Sequence, residues 1–316
     1  MPLSFEAKAL LDMVYRVGAP RFHELSTEQA RHSFRKLQLA FRTEAPPVAS
    51  VTDVPMTRAD GTVLLGRLYR PLESRPNEEL PLIVYFHGGG WCVGDVDSYD
   101  VLCRDLANGS RCSVLSVEYR LAPESPFPAA VDDAIFCTEW SVQNYDLLGI
   151  DPGRVALAGD SAGGNLSIVT ALAARESRGA AIRFIVLIYP STEIFSSRSS
   201  RQEFGQGYLL DNESLEWFYA RYLRDGDAYE WRASPMLAES LSGLPPMLLV
   251  TAECDPLRDD GIAFAERVRE EGGDVEHLAV PGVVHGFLTL GKFFPEAREV
   301  LHQITARLEK VLHDSR

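Results

Sequence analysis

Val155-Ala156-Leu157-Ala158-Gly159-Asp160-Ser161-Ala162-Gly163-Gly164-Asn165 is the stretch from which the rest of the chain can be read. Apolar residues run as a strand into Gly159, and a helix-forming stretch, Asn165 to Arg175, follows. Between them the Gly159-x-Ser161-x-Gly163 pattern puts a serine on a sharp strand-to-helix turn. Its glycines let neighbouring backbone pack closely and leave the hydroxyl exposed. At the start of the helix the Ala162 N–H points to where an oxyanion would form. The pattern alone also fits an ordinary turn, and the flanking strand and helix separate the two.

A second glycine-rich segment, His87-Gly88-Gly89-Gly90-Trp91, directly follows the strand-like run Leu82 to Phe86. Three glycines in a row strip side chains from a loop, so the N–H groups of Gly88, Gly89 and Gly90 can approach a substrate carbonyl and act with Ala162 as oxyanion donors. A phosphate-cradling loop is the alternative. No Lys-Ser/Thr follows, however, and the spacing does not match G-x-G-x-x-G.

Such a serine needs a base, and there are seven histidines. His23, His32, His302 and His313 fall in terminal helical stretches, His277 sits inside a strand pattern, and His87 belongs to the glycine loop. His285, in Gly282-Val283-Val284-His285-Gly286-Phe287, lies in a glycine-flanked loop beyond a strand expected to end at Val280. That is the carboxyl edge of an α/β sheet, where ligands bind. For the acid that orients the base, Glu253, Asp255, Asp259 and Asp260 all follow the strand-like Met247 to Thr251. Asp255, at a turn before Pro256, fits best, because Asp259 and Asp260 read as the first turn of a helix, where acids favour the dipole. The order Ser161, Asp255, His285 is the one the α/β-hydrolase template requires.

Further strand-like runs, Ser113 to Val117, Phe184 to Tyr189 and Val275 to Val280, alternate with helical stretches such as Asp260 to Glu271. Apolar runs without polar alternation predict an α/β fold with a mostly parallel sheet buried on both faces. Residues 1–45 break the alternation. They read as helical, with a capping box from Ser26 to Gln29 ahead of an amphipathic run to about Arg42. Residues 196–231 break it too, and they are dense in aromatics: Phe204, Tyr208, Trp217, Phe218, Tyr219, Tyr222, Tyr229 and Trp231. Taken singly, these rings suit core packing. Taken together, they suit a lid that walls a substrate site. The expected division is 1–45 and 196–231 as helical cap, and 46–195 and 232–316 as the two parts of the core.

A chain of 316 residues with 46% hydrophobic content can bury a sizeable core. Its net charge of -14 repels nucleic-acid phosphates and anionic lipid, so neither a nucleic acid nor a membrane is expected as partner. Glu6, Lys8 and Asp12 interrupt the N-terminal apolar residues, so no export signal is read there. The five cysteines, Cys92, Cys103, Cys112, Cys137 and Cys254, form no C-x-x-C pair and read as buried thiols. A cytoplasmic location follows from both points. No H-E-x-x-H pair occurs, and Asp95-Val96-Asp97-Ser98-Tyr99-Asp100 misses the glycine and terminal Glu of a calcium loop, leaving a solvated loop as the expectation. No metal or organic cofactor is expected.

HGGGW, GDSAGGN, DPLRD and HGF, with Tyr119-Arg120-Leu121-Ala122-Pro123-Glu124 and Phe127-Pro128-Ala129-Ala130, resemble the motifs of hormone-sensitive-lipase-like bacterial esterases, in the family's order and over about residues 50–290. The resemblance implies an α/β-hydrolase fold with a helical cap and cleavage of short- to medium-chain acyl esters. It makes Asp255 the acid beside Ser161 and His285. It also makes Gly89 and Gly90 oxyanion donors with Ala162, and gives His87 the role of bracing the glycine loop. A homodimer through an edge strand or terminal helices is a further implication. The pattern departs at Asp260, where many relatives carry Glu. Two alternatives remain at this stage: an amidase or arylformamidase using the same triad, and a non-catalytic small-molecule binder, as in plant receptors of this fold that have lost a triad member.

Overall fold

The computed structural model describes residues 3–75 and 78–314. Eight strands form one sheet: β1 (Ser50–Thr57), β2 (Val63–Arg70), β3 (Leu80–Phe86), β4 (Ser113–Glu118), β5 (Ile150–Asp160), β6 (Ile182–Ile188), β7 (Met247–Cys254) and β8 (Val275–Val284). Their order across the sheet is β1-β2-β4-β3-β5-β6-β7-β8. β2 runs antiparallel to both neighbours, and every pair from β4 through β8 is parallel. The helices are α1 (Phe5–Arg16), α2 (Thr27–Phe41), α3 (Asp100–Ser110), α4 (Ala129–Gln143), α5 (Tyr145–Leu148), α6 (Ala162–Ser177), α7 (Ser199–Glu203), α8 (Asn212–Tyr222), α9 (Arg258–Glu270) and α10 (Pro295–His313).

The central strands read as unbroken apolar runs because each face supplies a different core. In β3, Leu82, Val84 and Phe86 join the core under α4, α6 and α9, while Ile83 and Tyr85 join the core under α1, α3 and α10. β6 divides in the same way, with Ile185 and Leu187 on one side and Phe184, Val186 and Ile188 on the other. β1 and β2 have no such run to announce them. They form an edge hairpin in which Val54, Met56, Leu64 and Leu68 turn inward while Asp53, Val63 and Leu65 stay in solvent. One wet face gives alternation instead of continuity.

Two expectations need correction. β8 does not stop at Val280 but continues to Val284, because Pro281 and Gly282 are taken up where the β7 and β8 register shifts between Ala252 and Cys254. His285 is therefore the first residue off the strand. The Asp95 to Asp100 segment is pinned by arginines instead of being freely solvated. Asp95 pairs with Arg35, Asp97 with Arg67 at 2.7 Å, and Asp100 with Arg104 at 2.8 Å.

Both segments that broke the alternation pack over the carboxyl edge of the sheet. The capping box at Ser26 and Gln29 is formed, and α2 runs to Phe41. α8 buries Leu215, Trp217, Phe218, Tyr219 and Tyr222. Each such side chain contributes about 1.5–3 kcal/mol on leaving water, so α8 is firmly docked against the rest of the chain. Among the described residues, no helix is long and apolar enough to cross a membrane.

Candidate active site

Ser161 sits between β5 and α6 with φ +54° and ψ -115°, a conformation that costs a non-glycine residue about 1–3 kcal/mol. The surroundings hold it there. Its N–H donates to Ile188 O, and its carbonyl accepts from Asn165 N and Ser191 N. Gly163 is obligatory, since a Cβ there would lie 1.8 Å from the carbonyl oxygen of Phe86.

The Oγ of Ser161 is 3.0 Å from Nε2 of His285, and Nδ1 of His285 is 2.7 Å from Oδ2 of Asp255. Asp255, fully buried, follows β7, and its other oxygen accepts from Leu257 N at 2.8 Å. An ionised carboxylate only accepts hydrogen bonds, so Nδ1 carries the proton and Nε2 presents its lone pair to the serine hydroxyl. The other three acids are engaged elsewhere. Glu253 accepts from Gly282 N, Asp259 from Ser200 N and Arg258, and Asp260 from Arg198 and Arg201.

The four predicted oxyanion glycine and alanine positions do not all remain. Gly89, Gly90 and Ala162 line the cavity above Ser161, and among the described residues their N–H groups donate to no protein acceptor. Gly88 must be removed from the set. Its N–H is spent on Oδ1 of Asp160 at 2.8 Å. Gly90 adopts φ +56°, and a Cβ there would meet the Phe218 ring at 2.4 Å, so only glycine lets the loop pass under α8.

His87 is not a base. Burial pushes its imidazole below the ordinary value, and Nδ1 lies 2.8 Å from the Gly88 carbonyl, to which it donates. The ring stacks on Tyr119 with centroids 4.3 Å apart, and the Tyr119 hydroxyl donates to His87 O at 2.7 Å. The residue thus braces the glycine loop. His277, on β8, is paired with Thr251 of β7 at 2.9 Å and does not line the cavity over Ser161.

Two site residues, Asp160 and Asn165, fall within the GDSAGGN motif but receive no role from the sequence. Asp160 accepts from Gly88 N, from Tyr85 Oη at 2.8 Å and from Tyr99 Oη at 3.0 Å. Burial pushes its carboxyl up despite these three donors, and burial also holds both tyrosines well above their ordinary range, as protonated donors. Asn165 donates to Ser191 O and Ala233 O, tying α6 to both flanks of the 196–231 segment.

The cavity over Ser161 has a volume of about 120 Å³. Phe22, Phe34 and Leu37 wall it from the N-terminal segment, Leu215, Phe218 and Tyr219 from α8, and Leu257 and Leu290 from the core. The aromatics of 196–231 therefore divide by role. Phe218 and Tyr219 face the cavity, Tyr222 stacks on Trp91 with centroids 4.3 Å apart, and Tyr229 is exposed. A larger open groove of about 980 Å³ runs along α2, but its Arg31, Arg35, Asp95 and Glu124 are paired with one another and Ser161 is not on it. His23, Asp211 and Glu213 bring donor atoms within 4.8 Å of one another, with Arg21 3.3 and 3.6 Å from the two carboxylates as the cation already there.

Residues 83–289 match the family described as the alpha/beta hydrolase fold. The chain is 40% identical over 293 residues to an ethyl acetate hydrolase of Pseudomonas putida, with 92% of each chain covered. It is also 40% identical over 267 residues to the carboxylesterase NlhH of Mycobacterium tuberculosis, covering 83% of this chain and 80% of that one. Among solved structures it is similar to the ester-hydrolase EH1AB1 from the metagenome of Lake Arreo, with a TM-score of 0.93 and 36% identity over 98% of each chain. A thermostable esterase from Pseudomonas putida ECU1011 aligns with a TM-score of 0.95 and 31% identity over 99% of each chain.

Proposed function

The chain belongs to the hormone-sensitive-lipase-like family of the alpha/beta hydrolase fold and is a carboxylic ester hydrolase; we propose that it cleaves short- to medium-chain acyl esters with Ser161 as nucleophile, His285 as base and Asp255 as the acid that orients it. The observation that carries this reading is the unbroken line Asp255, His285, Ser161, at 2.7 and 3.0 Å, opening into a cavity edged by three N–H groups without an acceptor among the described residues.

Ser161 Oγ bonds to the ester carbonyl carbon while its proton passes to Nε2 of His285. Gly89, Gly90 and Ala162 donate to the oxyanion, and Asp255 stabilises the imidazolium. The C–O bond to the alcohol then breaks, with the proton leaving on the alcohol. Water repeats the sequence on the acyl-enzyme and frees the acid. An intact, hydrogen-bonded His285 supports turnover over mere binding.

Cavity size supports the short end of the acyl range. About 120 Å³ is less than the roughly 150 Å³ that holds a benzene ring, so chains of a few carbons fit without moving α8. On the same reading, residues 1–45 and 196–231 form the cap and 46–195 with 232–316 the catalytic core. Five unpaired, buried cysteines fit a reducing, cytoplasmic setting. Two copies pair through an edge strand or the terminal helices, which sedimentation velocity tests.

A series of p-nitrophenyl esters from acetate to decanoate, with matching anilides, tests the proposal. Turnover should peak at or below about six carbons, with anilides far slower, and Ser161→Ala should lower kcat by about 10⁴–10⁶-fold. Near-normal turnover by Ser161→Ala refutes the nucleophile, and faster cleavage of anilides refutes the substrate class.

A further inference from the structure

We propose that Gln38 selects esters that carry a hydrogen-bond donor, a hydroxyl or N–H a few bonds from the scissile carbonyl. This rests on the ester-hydrolase reading above and names the class of ester within it. Gln38 lies on α2 among apolar wall residues, lines the same cavity as Ser161, and is only 4% exposed. A leucine would serve this position if the wall had only to be apolar.

The amide orientation is fixed by its neighbours. Gln38 Nε2 is 3.1 Å from Thr289 Oγ1, and Thr289 Oγ1 is 3.0 Å from the Gly286 carbonyl oxygen. A threonine hydroxyl has one proton, and a carbonyl can only accept, so that proton goes to Gly286 O. Thr289 must then accept from the amide, which puts NH₂ toward Thr289 and leaves Oε1 on the other side. Gln38 Oε1 is buried and has no partner among the described residues. An unpaired buried acceptor is disfavoured until a donor reaches it. The chain Gln38, Thr289, Gly286 also ends beside His285, so a donor held at Oε1 is registered against the catalytic base through its next neighbour in sequence. A site with a buried acceptor discriminates against a ligand lacking the donor, more sharply than an apolar wall discriminates against one methylene.

The test is a ratio of kcat/KM values on matched esters, each divided by its rate of alkaline hydrolysis to remove intrinsic reactivity. On the acyl side the set is ethyl butanoate, ethyl 3-hydroxybutanoate and ethyl 3-methoxybutanoate. On the alcohol side it is propyl, 2-hydroxyethyl and 2-methoxyethyl butanoate. In one of the two sets the hydroxy ester should exceed its plain partner by about tenfold, the size of one net hydrogen bond, while the methoxy ester, which cannot donate, should not. Gln38→Met, similar in volume, should bring that ratio to about one. Because both substrates meet the same sample, inactive protein cancels. If Gln38→Met does not fold, Thr289→Val frees the amide to rotate and should lower the ratio several-fold. Hydroxy and plain esters cleaved equally by the native protein, or an unchanged ratio in the variants, overturns the role of Gln38 and leaves the esterase reading intact. No turnover of any ester in either set overturns both.

Discussion

Asp160 is the residue whose replacement tests the architecture of the site most directly. Its carboxylate is the shared acceptor for Gly88 N–H, Tyr85 Oη and Tyr99 Oη, all of them buried. Asp160→Ala strands three donors, at about 1–3 kcal/mol each, or roughly 3–9 kcal/mol in all. Removing a carboxyl whose charge is disfavoured by burial returns part of that, so a net loss of about 2–4 kcal/mol is expected, a large share of a stability of roughly 5–15 kcal/mol. Asp160→Asn is milder. Its carboxamide oxygen can keep Gly88 and Tyr85, while its NH₂ faces Tyr99, which must turn its proton away to accept, so one donor is lost and about 1–3 kcal/mol with it.

The kinetic effect comes from the neighbouring glycines. Gly88 is pegged to Asp160 immediately before Gly89 and Gly90, and one oxyanion donor is worth about 10²–10³ in kcat. Asp160→Ala should therefore lower kcat about 10²-fold with a much smaller change in KM, and Asp160→Asn less than tenfold. The assay is p-nitrophenyl ester kinetics, normalised by titration with an organophosphonate, beside urea denaturation of the same samples. An Asp160→Ala protein with native kcat and native urea midpoint would show that Asp160 neither holds the loop nor satisfies those donors.

Asp260 holds Arg201 at 2.8 Å and Arg198 at 3.2 Å, joining α7 to α9; Asp260→Ala leaves the buried Arg201 charge uncompensated, and urea denaturation should read a loss of about 3–5 kcal/mol. Burial raises Asp105 to about 6, with Arg298 opposing it. Its unfolded value is about 3.9, so between the two the folded protein binds more protons than the unfolded chain, and this contribution to stability is lost as pH rises from about 4 through about 6. Asp105→Asn should match the native protein below about pH 4 and exceed it by on the order of 1 kcal/mol above pH 6, after allowance for solvent screening at this partly open site. Thermal melts from pH 3.5 to 8 check this, and a variant that is less stable at pH 8 contradicts it.

The strands that carry the site were legible because burial on both faces leaves continuous apolar runs, as in β3 and β6. Local chemistry marked the serine turn and the glycine loop, since a tight turn and a close backbone approach each demand glycine at fixed positions such as Gly163. The glycine-flanked loop after the last strand then pointed to His285, and the turn before Pro256 to Asp255. The β1 and β2 hairpin escaped because its one wet face dilutes the apolar pattern, and the true end of β8 escaped because a register shift is a property of two strands and not of one.

The tertiary structure alone decided which groups are already engaged. Nothing in the string Gly88-Gly89-Gly90 tells one N–H from the next, yet Asp160, far along the chain, takes the first and leaves the other two. For the four acids after β7, where the sequence already favoured Asp255, the tertiary structure added what each one touches. Phe218 and Tyr219 became cavity wall while Tyr222 became core because a helix face is divided only when it is packed. Sequence fixes residue types and local turns through short-range sterics. Hydrogen-bond partnership and cavity shape are long-range outcomes of packing, and on them the substrate depends.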